Sequence, residues 1–97
     1  MYAVVREITN KPGQELSDQE REEYESLLTS VPGFYGQLTV DIGDGKLIRI
    51  AVWESDAGRT AIFDRDEVKR AGEIFEARQN MPIIGGGQVV SNTLLKA

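Results

Sequence analysis

Hydrophobic and polar residues follow two different periods in the first third of the chain. Tyr2 to Thr9 is rich in β-branched residues and predicts a strand that ends at the turn-forming cluster Asn10-Lys11-Pro12-Gly13. Ser17 and Glu20 then have the spacing of a capping box, in which each side chain satisfies a backbone N–H of the first helical turn. The apolar residues that follow recur at intervals of three and four: Tyr24, Leu27, Leu28 and Val31. The pattern therefore predicts a strand and then an amphipathic helix, which Pro32-Gly33 ends.

A hairpin is predicted next, between Phe34 and Trp53. We expect Gly43-Asp44-Gly45 to form a three-residue loop with Gly45 in the left-handed conformation. Ile42 then lies opposite Lys46. Each residue before Ile42 is paired with one after Lys46 so that the two residue numbers add to the sum of 42 and 46. The first strand of this hairpin, from Phe34, is strand two of the chain, and the second, Leu47 to Trp53, is strand three. Strand three is apolar on both faces except at Arg49, whereas strand two alternates, so strand three is expected to be central and strand two at an edge.

This register separates the hairpin into two surfaces. One is wholly apolar and consists of Phe34, Leu38, Val40, Ile48, Ile50 and Val52. The other pairs Tyr35 with Trp53, Gln37 with Ala51, and Thr39 with Arg49. The two faces are thus predicted to have different roles.

The second half of the chain predicts a broken helical region and a last strand. Asp56 is expected to cap a helix over Ala57 to Phe63, and Asp64 with Glu67 to cap a second one. The stripe of that second helix is Val68, Ala71, Ile74 and Phe75. A loop over Met81 to Gly87 and a strand over Gln88 to Leu95 follow in this prediction.

The predicted order is β-α-β-β-α-β, which is the ferredoxin-like pattern. In this α+β fold, four antiparallel strands form one sheet and both helices lie on one face. The other face then stays uncovered. Because soluble proteins rarely expose a large apolar surface, we expect two copies to pack sheet against sheet as a homodimer.

Composition and charge narrow the classes of function. The chain has 97 residues, which predicts a single domain over 1–97, and a formal charge of -5, which disfavours binding to nucleic acid or to anionic membranes. It contains no cysteine, which excludes disulfides and thiolate chemistry. No apolar run reaches membrane-spanning length and no export signal is recognisable, so a cytoplasmic location is expected.

Two short segments carry a family resemblance. Val31-Pro32-Gly33-Phe34 and Val52-Trp53-Glu54-Ser55-Asp56-Ala57, with the glycine turn between them, resemble the dimeric α+β barrel superfamily, in particular antibiotic-biosynthesis monooxygenase-like proteins. The resemblance implies a barrel of two ferredoxin-like subunits with a pocket between each sheet and its helices. It also implies activities that include cofactor-independent oxidation of quinol-like substrates, haem degradation and simple ligand binding.

The chain departs from that pattern because it contains no histidine. The histidine that follows strand three in many relatives, and the one that ligates haem in the degrading enzymes, therefore have no counterpart. We expect neither a cofactor nor a metal, and no catalytic residue can be carried over. Only Trp53 matches a position that often lines the pocket of the family.

With Trp53 directed toward the helices, the register places a candidate pocket on the same side of the sheet. Its members are Trp53, Tyr35, Arg49, Gln37 and Thr39. They combine aromatic surface, a phenol, an amide and a fixed cation, which suits a small apolar or aromatic ligand that carries a hydroxyl or carboxylate. In the alternative interpretation, Trp53 and Tyr35 are a cross-strand pair in the core, and Arg49 is balanced by Asp41 or Glu54.

Two hypotheses of function follow. In the first, the protein is a cofactor-independent monooxygenase in which Trp53 and Tyr35 position an electron-rich aromatic and Arg49 stabilises its anion. In the second, it is a non-catalytic homodimer that binds a small molecule or serves in assembly. Among the other candidates, Asp64, Asp66 and Glu67 are interpreted as helix caps rather than metal ligands, and Gly85-Gly86-Gly87 as a mobile loop or lid rather than a phosphate cradle.

Overall fold

A computed structural model describes residues 1–93 as one antiparallel sheet covered on one side by helices. The elements in chain order are β1 (Tyr2–Asn10), α1 (Asp18–Thr29), β2 (Phe34–Gly43), β3 (Lys46–Trp53), α2 (Asp56–Phe63), α3 (Asp66–Arg78), β4 (Gln79–Asn80) and β5 (Ile83–Gln88). The strands are ordered β2-β3-β1-β4, and β5 also pairs with β1. The predicted ferredoxin-like α+β fold is confirmed, with its last strand divided into β4 and β5, and β2 lies at an edge as expected.

The helix starts follow local hydrogen bonding. In α1 the predicted capping box is present: Glu20 N donates to Ser17 Oγ at 3.1 Å, and Ser17 N donates to Glu20 Oε1 at 3.1 Å. The N-cap of α2 is Ser55, whose Oγ accepts from Gly58 N at 3.0 Å, so the prediction that Asp56 caps this helix was wrong. A serine hydroxyl one position earlier reaches the same orphan donors.

The helical region breaks near Asp64, as predicted, but the prediction that Asp64 caps the second helix was wrong. Asp64 is the C-cap of α2, and Arg65 is the N-cap of α3 without a side-chain hydrogen bond. Asp66 and Glu67 lie in the first turn of α3, where the helix dipole favours negative charge. These acidic residues therefore support the helix start without capping it.

The hairpin register agrees with the prediction in its middle and differs at both ends. Gln37 pairs with Ala51 and Thr39 with Arg49, as expected. The loop contains two residues, because Gly43 pairs with Lys46, while Asp44 and Gly45 have φ of 56° and 73°. An irregularity between Asp41 and Gly43 takes up Ile42, so the expected pairing of Ile42 with Lys46 was wrong.

A second irregularity lies at the start of β2. The register shifts between Phe34 and Gly36, and Gly36 has φ of 143°, a conformation that glycine adopts most readily. Phe34 rather than Tyr35 is therefore opposite Trp53. The prediction that Phe34 belongs to the apolar surface and that Tyr35 pairs with Trp53 was wrong.

The end of the chain also differs from the prediction. Gly85-Gly86-Gly87 is part of β5 and pairs with Val5, Val4 and Ala3 of β1, so it is neither a loop nor a lid. Val89 to Thr93 is not a regular strand, and the predicted strand residues Leu94-Leu95 lie outside the described residues. Because polyglycine carries no side-chain pattern, the period-two signal of a strand is missing there.

The core lies between the sheet and the helices. Its buried members are Tyr24, Leu28, Val31, Trp53, Ile62, Val68 and Phe75. On the open side of the sheet, Leu38, Val40 and Ile50 are 47%, 50% and 38% exposed. No helix within residues 1–93 is long and apolar enough to cross a membrane.

Candidate functional site

Trp53 is the centre of an aromatic cluster beneath the helices. It is 2% exposed, and its ring lies 4.8 Å from that of Phe34 and 5.5 Å from that of Phe63, measured between centroids. Its indole N–H is buried and has no hydrogen-bond acceptor within residues 1–93. Since buried polar groups are normally paired, this donor is available to a group other than those of residues 1–93.

A cavity of about 460 Å³ opens between the sheet and helices α2 and α3. Its lining combines aromatic rings with charged side chains of both signs: Tyr24, Phe63 and Phe75; Arg6, Arg49, Arg59 and Lys69; and the exposed carboxylates Asp64, Glu73 and Glu76. A second cavity of about 40 Å³ has Trp53, Ala51 and Gln37 in its wall and shares Arg6, Tyr24 and Arg49 with the first. The volume of the larger cavity falls in the range of small-molecule sites.

Two of these arginines face each other on neighbouring strands. Arg6 of β1 and Arg49 of β3 are directly opposed in the sheet register. Arg6 Nη1 donates to the carbonyl oxygen of Met81 at 2.6 Å, and Arg49 Nε donates to Thr39 Oγ1 at 3.2 Å. Arg59 differs, since its guanidinium is 3.0 Å from the carboxylate of Asp56.

Burial changes the protonation behaviour of three groups in the cavity. It lowers the pKa of the Arg6 and Arg49 guanidinium groups, and the charge of Arg59 lowers that of Arg6 further. Burial also raises the pKa of the Tyr24 hydroxyl, against the opposing effect of Arg49 and Arg6. Tyr24 therefore stays protonated and is suited to donate a hydrogen bond rather than to remove a proton.

The sequence-predicted pocket residues are only partly brought together. The smaller cavity is lined by Trp53, Gln37 and Arg49. Thr39 lines neither cavity, but its hydroxyl accepts a hydrogen bond from Arg49. Tyr35 is 48% exposed and lines neither cavity. Arg49 is not balanced by Asp41 or Glu54 through a salt bridge within residues 1–93.

Sequence reasoning missed Arg6, Tyr24, Arg59 and Phe63. Arg6 is a charged residue on the helix-facing side of β1, where its neighbours Val4 and Ile8 are buried and apolar. That interruption was a signal for a buried cation. Tyr24 was assigned to the apolar stripe of a helix from periodicity, which does not distinguish a core ring from a cavity wall. Phe63 was predicted only as the last residue of a helix.

Solved structures with similar folds cover almost the whole chain. SnoaB, a cofactor-independent oxygenase from Streptomyces nogalater, has a TM-score of 0.78 at 13% identity, with 95% of each chain covered. A protein described as an antibiotic biosynthesis monooxygenase has a TM-score of 0.74 at 18% identity, covering 94% of this chain and 100% of that one. A protein of unknown function from Nitrosomonas europaea gives 0.69 at 15% identity, covering 99% and 95%.

No protein-family model matches the sequence, and no curated protein matches it either. At these identities the structural likeness establishes the fold alone. The chain has the ferredoxin-like α+β fold found in antibiotic biosynthesis monooxygenases.

Proposed function

We propose that this protein is a cofactor-independent monooxygenase-like enzyme that acts on an electron-rich hydroxyaromatic. The observation that carries the proposal is the 460 Å³ cavity, in which Arg6 and Arg49 lie beside the rings of Tyr24, Phe63 and Phe75. The similarity of the protein's fold to that of SnoaB, which is described as a cofactor-independent oxygenase, supports the proposal. Aromatic walls suit a planar ring, and a cationic wall suits the anion formed when that ring loses a proton.

The chemistry follows from stabilising that anion. A phenolate or enolate is electron-rich enough to transfer an electron to dioxygen, after which the two radicals combine into a peroxide. Loss of water then leaves one oxygen atom on the ring carbon, and two hydrogens leave with the other. The substrate supplies all four electrons, so no external reductant is consumed.

Within the cavity, Arg6 and Arg49 would stabilise the substrate anion and the negative charge that moves onto oxygen. Tyr24 and the indole N–H of Trp53 would orient the ring by hydrogen bonding. The chain has no histidine, and the raised pKa of Tyr24 makes this phenol a poor base. The carboxylates in the lining, Asp64, Glu73 and Glu76, are exposed to water rather than buried against the rings. The proposal therefore favours substrates acidic enough to ionise themselves.

Oxygen uptake provides the test, with a panel of dihydroxynaphthalenes and other fused hydroxyaromatics. We expect the native protein to consume one dioxygen per product and to incorporate one atom from labelled dioxygen. Arg49→Met should lower kcat by about tenfold or more, since electrostatic donors contribute at least that much. Arg70→Met, which removes an exposed arginine of α3, is the matched control.

The second candidate is a homodimeric protein that binds a small molecule without converting it. The absence of histidine from the sequence favours it, because binding requires no proton transfer. Binding without uptake of oxygen by any member of the panel would select this candidate over the enzyme.

We also propose that the protein is a homodimer through the open face of the sheet. Leu38, Val40, Ile48, Ile50 and Val52 lie on this face, and three of them are more than a third exposed. An apolar face of this kind on a protein of 97 residues favours association.

A further inference from the structure

The opposed arginines Arg6 and Arg49 are an unusual feature of the sheet. Like charges at directly opposed positions of neighbouring strands destabilise the pairing, and partial burial increases the cost of each charge. Neither residue is in a salt bridge within residues 1–93, where the paired cations are Arg21, Lys46, Arg59 and Arg78. The two cations therefore line the same cavity, and neither has a salt-bridge partner among the described residues.

Each guanidinium also retains unused donors. Arg6 spends one N–H on the carbonyl of Met81, and Arg49 spends one on Thr39, whereas an arginine has five donors. Four exposed carboxylates lie around them without forming a salt bridge to either within residues 1–93: Glu25, Asp64, Glu73 and Glu76. A group that brings negative charge and several acceptor oxygens would satisfy both guanidiniums at once.

The residues around the two guanidiniums indicate which kind of molecule would carry that negative charge. The Arg49 guanidinium lies 5.9 Å from the centroid of the Phe75 ring, and Tyr24 and Phe63 complete aromatic walls around the same cavity. These walls favour a flat ring over a bare inorganic anion. A phenolate oxygen alone needs only one cation, whereas the two oxygens of a carboxylate match two guanidiniums.

We propose that the cavity binds an aromatic acid whose carboxylate lies between Arg6 and Arg49, with the Tyr24 hydroxyl as a further donor. This inference rests on the proposed function, since it names the substrate class of the same site. It adds a permanent negative charge on the ligand, which is separate from the charge that forms during oxidation. Glu76 is the competing occupant, because a rotation of its side chain would bring a carboxylate toward Arg6.

The test uses the single tryptophan as a reporter. In nitrogen-labelled protein, the Trp53 indole N–H gives one resonance, and its shift can be followed during titration under argon, which prevents turnover. The probes are matched pairs with and without the carboxylate: protocatechuate against catechol, and a hydroxynaphthoate against the corresponding naphthol. Inorganic phosphate serves as an anion without a ring.

We expect each carboxylate to bind about tenfold or more tightly than its neutral counterpart, and phosphate to bind more weakly than either acid. Arg6→Met and Arg49→Met should abolish this preference, because they weaken the binding of the acids far more than that of the neutral compounds. Arg49→Lys keeps the charge but loses the planar fork, and should recover part of the preference. Arg70→Met should bind like the native protein.

Equal affinity for acids and neutral compounds in the native protein would overturn the inference. So would a carboxylate preference that appears only in Glu76→Gln, because Glu76 would then be the normal partner of Arg6. Failure of the proposed function is a separate result: acids that bind selectively but consume no oxygen would retain the inference and remove the enzyme. Oxidation of the aromatic compounds without a preference for the carboxylates would retain the enzyme proposal and overturn the inference about the acid.

Discussion

The opposed charges of Arg6 and Arg49 are expected to lower the stability of the protein when no ligand is bound. Removing one of them should relieve the repulsion, so we expect Arg49→Met to stabilise the free protein by about 1 kcal/mol. For a chain of 97 residues this corresponds to a rise in Tm of about 4–8 °C.

Thermal unfolding without ligand checks this prediction, with Arg70→Met as the control for loss of a surface charge. A clear drop in the Tm of Arg49→Met would mean that the methylene stem and its contacts outweigh the repulsion. Sites that bind charged ligands often sacrifice stability in this way, because groups arranged for a ligand oppose each other in its absence.

Phe34 and Tyr35 exchange their expected roles at the start of β2. Phe34 lies against Trp53 and Tyr35 is 48% exposed. We expect Phe34→Ala to lower the free energy of unfolding by about 2–3 kcal/mol, somewhat less than for a fully buried phenylalanine, and Tyr35→Ala to lower it by less than about 1 kcal/mol.

Urea denaturation of the two variants compares them directly. An equal loss in both would argue that the irregularity at Gly36 is absent in solution. The exchange could not be derived from the sequence, because alternation predicts the face of a residue only while the register is unbroken. Gly36 permits the break but does not require it.

At the scale of elements, the start of α1 is tied to the end of α3. Glu20 accepts the Ser17 backbone N–H in the capping box and lies 3.1 Å from Arg78 Nε. The backbone hydrogen bond from Ser17, with the added effect of Arg78, lowers the pKa of Glu20 below its ordinary value of 4.5. The contact therefore joins two helices that lie far apart in sequence.

This lowered pKa predicts the direction of a pH effect. A carboxyl group whose pKa is lower in the folded state contributes stability that is fully present above its unfolded pKa and lost as the pH falls through its folded pKa. We expect the native protein to lose stability below about pH 4.5, and Glu20→Gln to lose less over the same range. Thermal unfolding from pH 6 down to pH 3 measures the difference, and parallel curves for the two proteins would contradict it.

The success of sequence reasoning varied among elements for physical reasons. Helix α1 and the middle of the hairpin follow from side-chain periodicity and a complete capping box, both of which are local. Strand β5 contains Gly85-Gly86-Gly87 and was missed, because its strand conformation comes from pairing with β1. Arg49 was found through its place in the hairpin, whereas Arg6 required the β1–β3 pairing, which depends on contacts distant in sequence.

At the scale of the whole molecule, the open sheet face predicts self-association. Val40 is 50% exposed on this face, and a charge there would have to be buried in a sheet-to-sheet dimer. We expect Val40→Glu to be monomeric at concentrations where the native protein is a dimer. Ile74→Glu, at a similarly exposed position on α3, should remain dimeric.

Sedimentation at micromolar concentration distinguishes these states. A native protein that sediments as a monomer would remove the dimer proposal. If Ile74→Glu dissociates and Val40→Glu does not, the interface lies on the helices rather than on the open face of the sheet. The far-ultraviolet circular dichroism of Val40→Glu shows whether the monomer stays folded.

The glycines of β5 have a consequence for how this surface can be engineered. A Cβ at Gly86 would lie 3.0 Å from the carbonyl oxygen of Ala3, but a Cβ at Gly85 or Gly87 meets no atom within 4 Å among the described residues. These two positions pair with Val5 and Ala3, and neither has a positive φ. Nothing in the described fold requires glycine at either position. Because these residues have no side chain, the edge of the sheet formed by β5 is flat there. Alanine at Gly85 and Gly87 would add a methyl group to that surface without a clash inside the subunit, and would limit how closely another molecule approaches it.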